Sequence, residues 1–170
     1  MSRVYGIDFG TTNSCVAYID NGKPKVVLDK ERYKLVPSVV YFYEKGGSVR
    51  VMVGRGAKSK YVENPFCTIH SIKRFIGKSY ESDEVRTAQD RYYYIIDRDP
   101  NAKSHEMDIQ VRINELDLAA SPTDIAAYIF RYLQQMSDDG YKDDNPEMVV
   151  ATLNAQKTRH SNATRQTPPG

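Results

Sequence analysis

The sequence predicts an α/β fold, in which a mixed sheet and one long helix form a core and a smaller unit is inserted. Short apolar runs separated by turns that contain Gly and Asn dominate the first part of the chain, which is typical of antiparallel strands. One long amphipathic segment follows Ser121, and a further apolar run comes at 148–152. This order of elements predicts an outer core of residues 1–39 and 114–170 around an inserted α+β unit at 40–113.

The opening of the chain predicts a β-hairpin. The apolar runs at 4–7 and 15–19 are short enough to be strands, and the segment between them is rich in Gly, Thr and Asn. Asn21-Gly22 is a turn signal that introduces a third short strand at 25–28. We expect these three antiparallel strands to nucleate the main sheet.

The turn of this hairpin has the chemistry of a phosphate site, since Gly10 lets a ligand approach the backbone closely. The N–H groups of Thr11, Thr12 and Asn13, with the two threonine hydroxyls, are donors for an anion. Asp8 would repel a polyphosphate unless a cation lay between them, so it predicts a Mg²⁺ ion that is bound through water. The alternative role for Asp8 is that of a turn-forming residue. The turn is not a Walker A loop, because the chain has no G-x-x-x-x-G-K-[ST] pattern.

The middle of the chain predicts the small inserted unit. Apolar runs at 33–43 and 49–53 flank a Gly46-Gly47 turn and indicate a second hairpin, with Pro37 at a strand entry or edge. Further elements are expected as a short helix at 54–61, strands at 92–96 and 109–113, and a polar loop at 97–104.

The segment 68–77 carries isoleucines at helical spacing. Ile69, Ile72 and Ile76 recur at i, i+3 and i+7, and a glycine follows the last of them. This pattern predicts a helix that packs its isoleucines and leaves Lys73 off the packed face. On this pattern alone Lys73 is a solvated helix lysine.

A second helix is predicted from Ser121 onward. Ser121 suits the N-cap, Pro122 the first turn, and Asp124 the positive end of the helix dipole. Its apolar stripe ends before Gly140 and consists of Ile125, Ile129, Leu133 and Met136. An acidic connector, a buried strand at 148–152 and a polar tail from Asn154 are expected to follow.

Composition gives little support for nucleic acid or membrane as partners. The chain of 170 residues has a net charge of only +2, and it contains no apolar run as long as the roughly 18 residues that a membrane span needs. Tyr92, Tyr93 and Tyr94 do not predict a stacking platform, because consecutive strand residues point to opposite faces. The chain starts without a signal-peptide pattern, which favours a cytoplasmic protein, and Cys15 and Cys67 are expected to be reduced thiols.

The motifs, taken together, resemble a known family. The run 6–17, Gly-Ile-Asp-Phe-Gly-Thr-Thr-Asn-Ser-Cys-Val-Ala, resembles the first phosphate loop of the DnaK-type seventy-kilodalton heat-shock chaperones, in the actin and sugar-kinase clan. Further matches follow in the family's order at Val36-Pro37-Ser38, Val53-Gly54, Ala57-Lys58, Asn64-Pro65 and, above all, Ile72-Lys73-Arg74-Phe75-Ile76-Gly77. The resemblance covers about residues 3–165.

The resemblance implies a fold and a chemistry. The fold is that of a ribonuclease-H-like, actin-like ATPase lobe with a mixed five-stranded-type sheet, the N-terminal lobe of a nucleotide-binding domain. Asp8 would sit by Mg²⁺ through water, and Gly10, Thr11, Thr12 and Asn13 would hold the β- and γ-phosphates of ATP or ADP. Lys73 would orient the attacking water, so that Lys73, Thr11 and Asp8 are the implied catalytic residues.

The sequence also departs from the family. Leu153 stands where the family has a proline, and Ser161 stands where it has an arginine, and both family residues relay the nucleotide state to the peptide-binding domain. The second phosphate loop, the second lobe and the adenosine pocket do not occur in these 170 residues. The resemblance therefore implies that hydrolysis by this chain needs a second lobe.

Three functions remain open from the sequence. The first is the N-terminal lobe of a chaperone ATPase, whose partners in the intact protein would be unfolded client peptides and cochaperones of the nucleotide-exchange and J-domain types. The second is a non-enzymatic lobe that acts as a protein-interaction module. The third is another member of the clan, such as an actin-like filament protein or a sugar kinase.

Overall fold

The structure is a computed structural model that describes residues 4–88, 90–103, 108–140 and 147–151. Its strands are β1 Val4–Asp8, β2 Asn13–Asp20, β3 Lys23–Val26, β4 Val36–Pro37, β5 Val39–Lys45, β6 Ser48–Val53, β7 Thr68–His70, β8 Ile95–Arg98, β9 Ile109–Ile113, β10 Leu118–Ala120 and β11 Glu147–Ala151. Its α-helices are α1 Arg55–Ser59, α2 Asp83–Ala88 and α3 Pro122–Gly140. Short 3₁₀ turns lie at Pro65–Cys67, Ile72–Arg74 and Asn114–Leu116.

The first sheet is built around β1. Its strands follow the order β11-β1-β2-β3, and β4 pairs with the start of β2, which gives five strands. β1 and β11 run parallel, whereas the other pairs are antiparallel. The predicted α/β class with a five-stranded mixed sheet is therefore confirmed. Because β1 is paired along both edges, the position of its last residue, Asp8, is fixed between Cys15 and Ala151.

Two antiparallel sheets of three strands form the middle of the chain. One has the order β6-β5-β7, with the predicted Gly46-Gly47 turn between β5 and β6, and the other has the order β10-β9-β8. Buried residues of all three sheets and of α3 form one continuous hydrophobic core. The division into an outer core and an insert at 40–113 stays a prediction.

The predicted helix at 68–77 is wrong. Residues 68–70 form β7, in which Ile69 pairs with Val40 of β5, and only a 3₁₀ turn follows at Ile72–Arg74. Ser71 separates the two elements in a left-handed conformation with φ of 58°, which a helix does not tolerate. The isoleucine spacing therefore reflects two buried elements of different type, since Ile69 and Ile72 are both buried.

The strand predicted at 92–96 is also displaced, because β8 begins at Ile95 and extends into the predicted loop as far as Arg98. The residues 92–94, which precede it, are not part of a strand. Tyr92 and Tyr94 stack with their ring centroids 5.0 Å apart, whereas Tyr93 is 55% exposed. The three rings thus do not share one surface.

Helix α3 follows its prediction closely. The Ser121 hydroxyl accepts a hydrogen bond from the backbone N–H of Asp124 at 3.1 Å and donates to the Asp124 carboxylate at 2.7 Å, which caps the first turn. All four predicted stripe residues are buried. The helix ends at Gly140. None of the helices in the described residues combines the length and the apolar character that a membrane span needs.

The end of the chain is described only in part. β11 occupies Glu147–Ala151, one residue before the strand predicted at 148–152. The predictions for the acidic connector at 141–146 and for the tail, with Leu153 and Ser161, lie outside the described residues.

We predict that Leu133→Ala destabilises the fold strongly. The Leu133 side chain is fully buried where α3 meets the sheets, so its truncation removes apolar contacts and leaves a cavity that costs about 2–5 kcal/mol. Chemical denaturation measures this change. Gln134→Ala at the next, exposed position is the control, and it is expected to alter the free energy of unfolding by less than about 0.5 kcal/mol. Equal effects of the two substitutions would contradict the described packing of α3.

Candidate phosphate-binding site

The candidate site lies at the carboxyl end of β1, where the hairpin turns into β2. Tyr5 and Ile7 are buried on one face of β1, and Phe9 is buried directly after the strand, so Asp8 belongs to the opposite face and is only half-buried. The Phe9 ring packs on Phe130 of α3 with centroids 4.9 Å apart. The turn is therefore anchored to the long helix, while Asp8 stays only half-buried.

Gly10 is required by the geometry of the turn. A Cβ atom at this position would lie 2.1 Å from the carbonyl oxygen of Asn13, which is closer than any side chain tolerates. Thr11 is half-buried, whereas Thr12 and Asn13 are exposed. The four residues predicted to bind phosphate thus form one tight turn whose polar residues are open to a ligand.

Two buried serines hold this turn from below. The Ser38 hydroxyl donates to the Gly10 carbonyl at 2.9 Å, and its oxygen is 2.9 Å from the Ser14 hydroxyl. The Ser38 backbone N–H also donates to the Thr12 carbonyl at 2.9 Å. The sequence did not predict this role of Ser14 and Ser38. Each is a small polar residue next to apolar residues that are expected to be buried, and a hydroxyl in such a place needs a hydrogen-bond partner.

Lys73 reaches the same turn from a distant segment. Its ammonium group donates to the Phe9 carbonyl at 2.7 Å and lies 5.8 Å from the centre of the Phe9 ring. The side chain is half-buried and starts from the 3₁₀ turn rather than from a helix. The structure therefore brings the Lys73 ammonium group to the hairpin, at Phe9, which stands between Asp8 and Gly10 in the chain.

The segment that carries Lys73 is held by aromatic rings. The hydroxyl of Tyr94 donates to the His70 carbonyl at 2.6 Å, and the His70 ring has edge contacts with Tyr61, Tyr92 and Tyr94. Burial among these rings lowers the pKa of His70, so this imidazole is neutral at physiological pH. This aromatic cluster was not predicted, because its members are distant from one another in the sequence.

A pocket of about 400 Å³ opens beside the hairpin turn. Its lining includes Thr11, Thr12, Lys58, Tyr61 and His70. This volume falls within the range of sites that bind small molecules, which is roughly 300–1,000 Å³. The turn is thus one wall of a cleft rather than an isolated surface loop.

The site has a single carboxylate for a metal ion. Among the described residues, no group of three His, Cys, Asp or Glu side chains converges to hold a cation. Asp8 lies instead at the end of β1, next in the chain to the turn, and is half-buried. One carboxylate suits Mg²⁺ when phosphate is the other ligand, because this ion keeps several waters and takes further oxygens from phosphate.

The two cysteines are protonated thiols at neutral pH. Burial raises the pKa of Cys15, and the negative charge of the facing Asp8 adds to this. Burial and a hydrogen bond to Glu115 raise the pKa of Cys67 to about 12. Since the thiolate is the reactive form, neither environment activates a nucleophile.

The comparisons with known proteins bear on this site and on most of the chain. The family model described as Hsp70 protein matches residues 4–158, which includes the hairpin and Lys73. The chaperone protein DnaK of Buchnera aphidicola subsp. Schizaphis graminum is 34% identical over 151 residues, which are 88% of this chain and 22% of that protein. The chaperone protein dnaK1 of Synechococcus elongatus is 36% identical over 135 residues, which are 79% of this chain and 19% of that protein.

These matches agree with the architecture. The mixed α/β structure with its five-stranded sheet is consistent with an actin-like ATPase lobe. The chain spans about a fifth of the length of the curated relatives that it matches, and the matched part corresponds to the N-terminal nucleotide-binding region. On the extent of the family match, the chain belongs to the Hsp70 protein family.

Proposed function

We propose that this chain binds the β- and γ-phosphates of ATP or ADP, together with Mg²⁺, through the hairpin of residues 6–13. The observation that carries the proposal is the hydrogen bond from the Lys73 ammonium to the Phe9 carbonyl, which holds a cation at the turn. A turn that only a glycine can form, with two threonines open to a cleft, supports the same proposal. Phosphate binding needs this combination of close backbone approach and positive charge.

The proposed roles follow from the chemistry of each group. Asp8 holds Mg²⁺ through water, and the metal ion neutralises the polyphosphate that the carboxylate would otherwise repel. Thr11, Thr12 and Asn13 donate hydrogen bonds to phosphate oxygens. Lys73 stabilises the negative charge at the γ-phosphate and orients the attacking water, because phosphoryl transfer depends mainly on positioning and on charge stabilisation.

In the intact protein, we propose an ATPase that acts as a molecular chaperone. The Hsp70 family consists of such ATPases, and the two relatives described above are named chaperone proteins. We propose as its partners client peptides and cochaperones of the nucleotide-exchange and J-domain types. We also propose a cytoplasmic location. A ligand held by one lobe loses the contacts that a facing lobe would add, so this chain alone is expected to bind weakly and to hydrolyse ATP negligibly.

An interaction module is the second candidate, and exposed apolar side chains favour it. Val62 is 89% exposed, and the partly exposed rings of Phe66 and Tyr93 contact each other at 6.0 Å between centroids. Large exposed apolar surfaces often mark protein contacts. Sedimentation at increasing protein concentration tests it, because self-association without any affinity for nucleotide would favour this candidate over the first.

The first prediction of the proposed function concerns Asp8. Residues 1–170 are expected to bind Mg-ATP with a dissociation constant of roughly 0.1–1 mM, measured by calorimetric titration. Asp8→Asn is expected to weaken Mg-ATP binding about tenfold, since the neutral amide anchors the hydrated metal less well. AMP, which lacks the β- and γ-phosphates, is the control ligand and is expected not to bind. Micromolar affinity, or steady hydrolysis that Asp8→Asn abolishes, would contradict the expected weakness of the single lobe.

The second prediction concerns the glycine of the turn. Gly10→Ala is expected to reduce Mg-ATP affinity by more than about tenfold, because the new Cβ atom collides with the Asn13 carbonyl and opens the turn. Gly6→Ala is a matched control in the same hairpin, where the nearest atom to a new Cβ is the Ala17 oxygen at 3.9 Å. Titration of both variants with Mg-ATP measures the difference. An undiminished affinity of Gly10→Ala would exclude the turn as the phosphate site.

The third prediction concerns Lys73. Lys73→Ala is expected to weaken Mg-ATP binding about tenfold, since a charged donor near the phosphates is lost. It also leaves the Phe9 carbonyl without this donor, so we expect a loss of about 1 kcal/mol in stability with the fold intact. Arg74→Ala removes the same charge at the exposed neighbouring residue and is the control. A similar loss of affinity in both variants would indicate only a general electrostatic effect.

A further inference from the structure

The Tyr94 hydroxyl is a buried polar group with a specific hydrogen-bond partner. The side chain is only 3% exposed, and its hydroxyl donates to the His70 carbonyl at 2.6 Å. Its ring stacks on Tyr92 at 5.0 Å, with an angle of 23° between the planes. A phenyl ring would keep these ring contacts equally well, so the contribution of the hydroxyl is its hydrogen bond to the His70 carbonyl. Burying a hydroxyl is unfavourable unless it forms a hydrogen bond, and this one does.

The carbonyl that accepts this bond lies where the chain changes direction. His70 ends β7, and Ser71 follows with φ of 58°, a conformation that residues other than glycine adopt only when their surroundings hold them. The next residue, Ile72, starts the 3₁₀ turn and is buried. The chain is thus fixed at His70 and at Ile72, and the strained Ser71 connects the two fixed points.

Lys73 comes directly after these fixed points. Its long side chain has many rotamers, and the direction of its Cα–Cβ bond determines which of them reach the Phe9 carbonyl. A reorientation of the peptide group between His70 and Ser71, from which the turn starts, would move that bond and remove the ammonium from the hairpin. The bond from Tyr94 holds the carbonyl of this peptide group and so opposes its reorientation. Burial also raises the pKa of Tyr94, so the phenol remains a donor at physiological pH.

We propose that Tyr94 is a positioning residue for Lys73: its hydroxyl fixes the His70 carbonyl, and thereby the turn that presents the Lys73 ammonium to the phosphate hairpin. This inference rests on the proposed function, because the importance of Lys73 depends on phosphate binding. The contacts of Tyr94 are with His70 and Tyr92. Its contribution is the preorganisation of a charge that would otherwise have to be ordered when phosphate binds.

The test compares Tyr94→Phe with Tyr92→Phe in the full chain. Both substitutions remove one hydroxyl from neighbouring rings of the same cluster, but only the first removes the bond to the His70 carbonyl. Tyr94→Phe is expected to weaken Mg-ATP binding about fivefold, the effect of one lost hydrogen bond, and Tyr92→Phe to leave the affinity unchanged. In a Lys73→Ala background, Tyr94→Phe is expected to have no further effect, because its target is already absent.

The double-mutant comparison separates positioning from general stability. If Tyr94→Phe weakened Mg-ATP binding equally with and without Lys73, the hydroxyl would act on the fold as a whole and the inference would be wrong. It would also be wrong if Tyr94→Phe had no effect while Lys73→Ala did. Failure of the unsubstituted chain to bind Mg-ATP would contradict the proposed function instead, and a second measurement then decides the inference.

That second measurement needs no nucleotide. NMR of the chain with ¹³C at the lysine ε-carbons reports whether the Lys73 side chain is ordered, and Lys73→Ala assigns its signal. In Tyr94→Phe the two ε-protons of Lys73 are expected to become equivalent, as in a mobile lysine, whereas Tyr92→Phe keeps them distinct. An unchanged Lys73 signal in Tyr94→Phe would overturn the inference whether or not the chain binds Mg-ATP.

Discussion

Two consecutive carbonyl oxygens in the hairpin turn, those of Phe9 and Gly10, accept hydrogen bonds from side chains that are distant in the sequence. Lys73 donates to the first and Ser38 to the second. A tight turn leaves carbonyl groups without partners in the sheet, and such groups need other donors when they are withdrawn from water. These two bonds join the first sheet to two other segments: Ser38 directly precedes β5, and Lys73 follows β7. The arrangement of the candidate site therefore depends on how this one turn satisfies its backbone.

On the proposed function, the same bonds prepare the turn for an anion. A free carbonyl oxygen would repel a phosphate, whereas one that already accepts a bond from an ammonium group presents less negative charge. The side chains that satisfy the carbonyls also stiffen the turn, so less order has to be imposed when a ligand binds. Gly10 completes the arrangement, since only the absence of a Cβ lets the chain pass the Asn13 carbonyl.

Local signals predicted the parts of the molecule that short segments determine. The hairpin was predictable because its turn residues lie between two apolar runs, and α3 because Ser121 caps a regular stripe. The environment of Lys73 was not predictable in this way. Its neighbours Ile69 and Ile72 fit a helical period, but pairing of Ile69 with Val40 in β5 overrides that period. The carbonyl bond of Lys73 and the hydroxyl bond of Tyr94 likewise join segments that no local pattern connects.

The charges around the turn bear on which ligand suits it. The chain as a whole carries a net charge of only +2, so attraction between the whole protein and an anion is weak. On the proposed roles, the turn combines one carboxylate, Asp8, with one ammonium group, Lys73. A free polyphosphate would be attracted by the Lys73 ammonium group and repelled by the Asp8 carboxylate. A free Mg²⁺ ion would be attracted by the carboxylate and repelled by the ammonium group. The magnesium complex of a polyphosphate offers a positive centre to Asp8 and negative oxygens to Lys73, so it alone satisfies both charges.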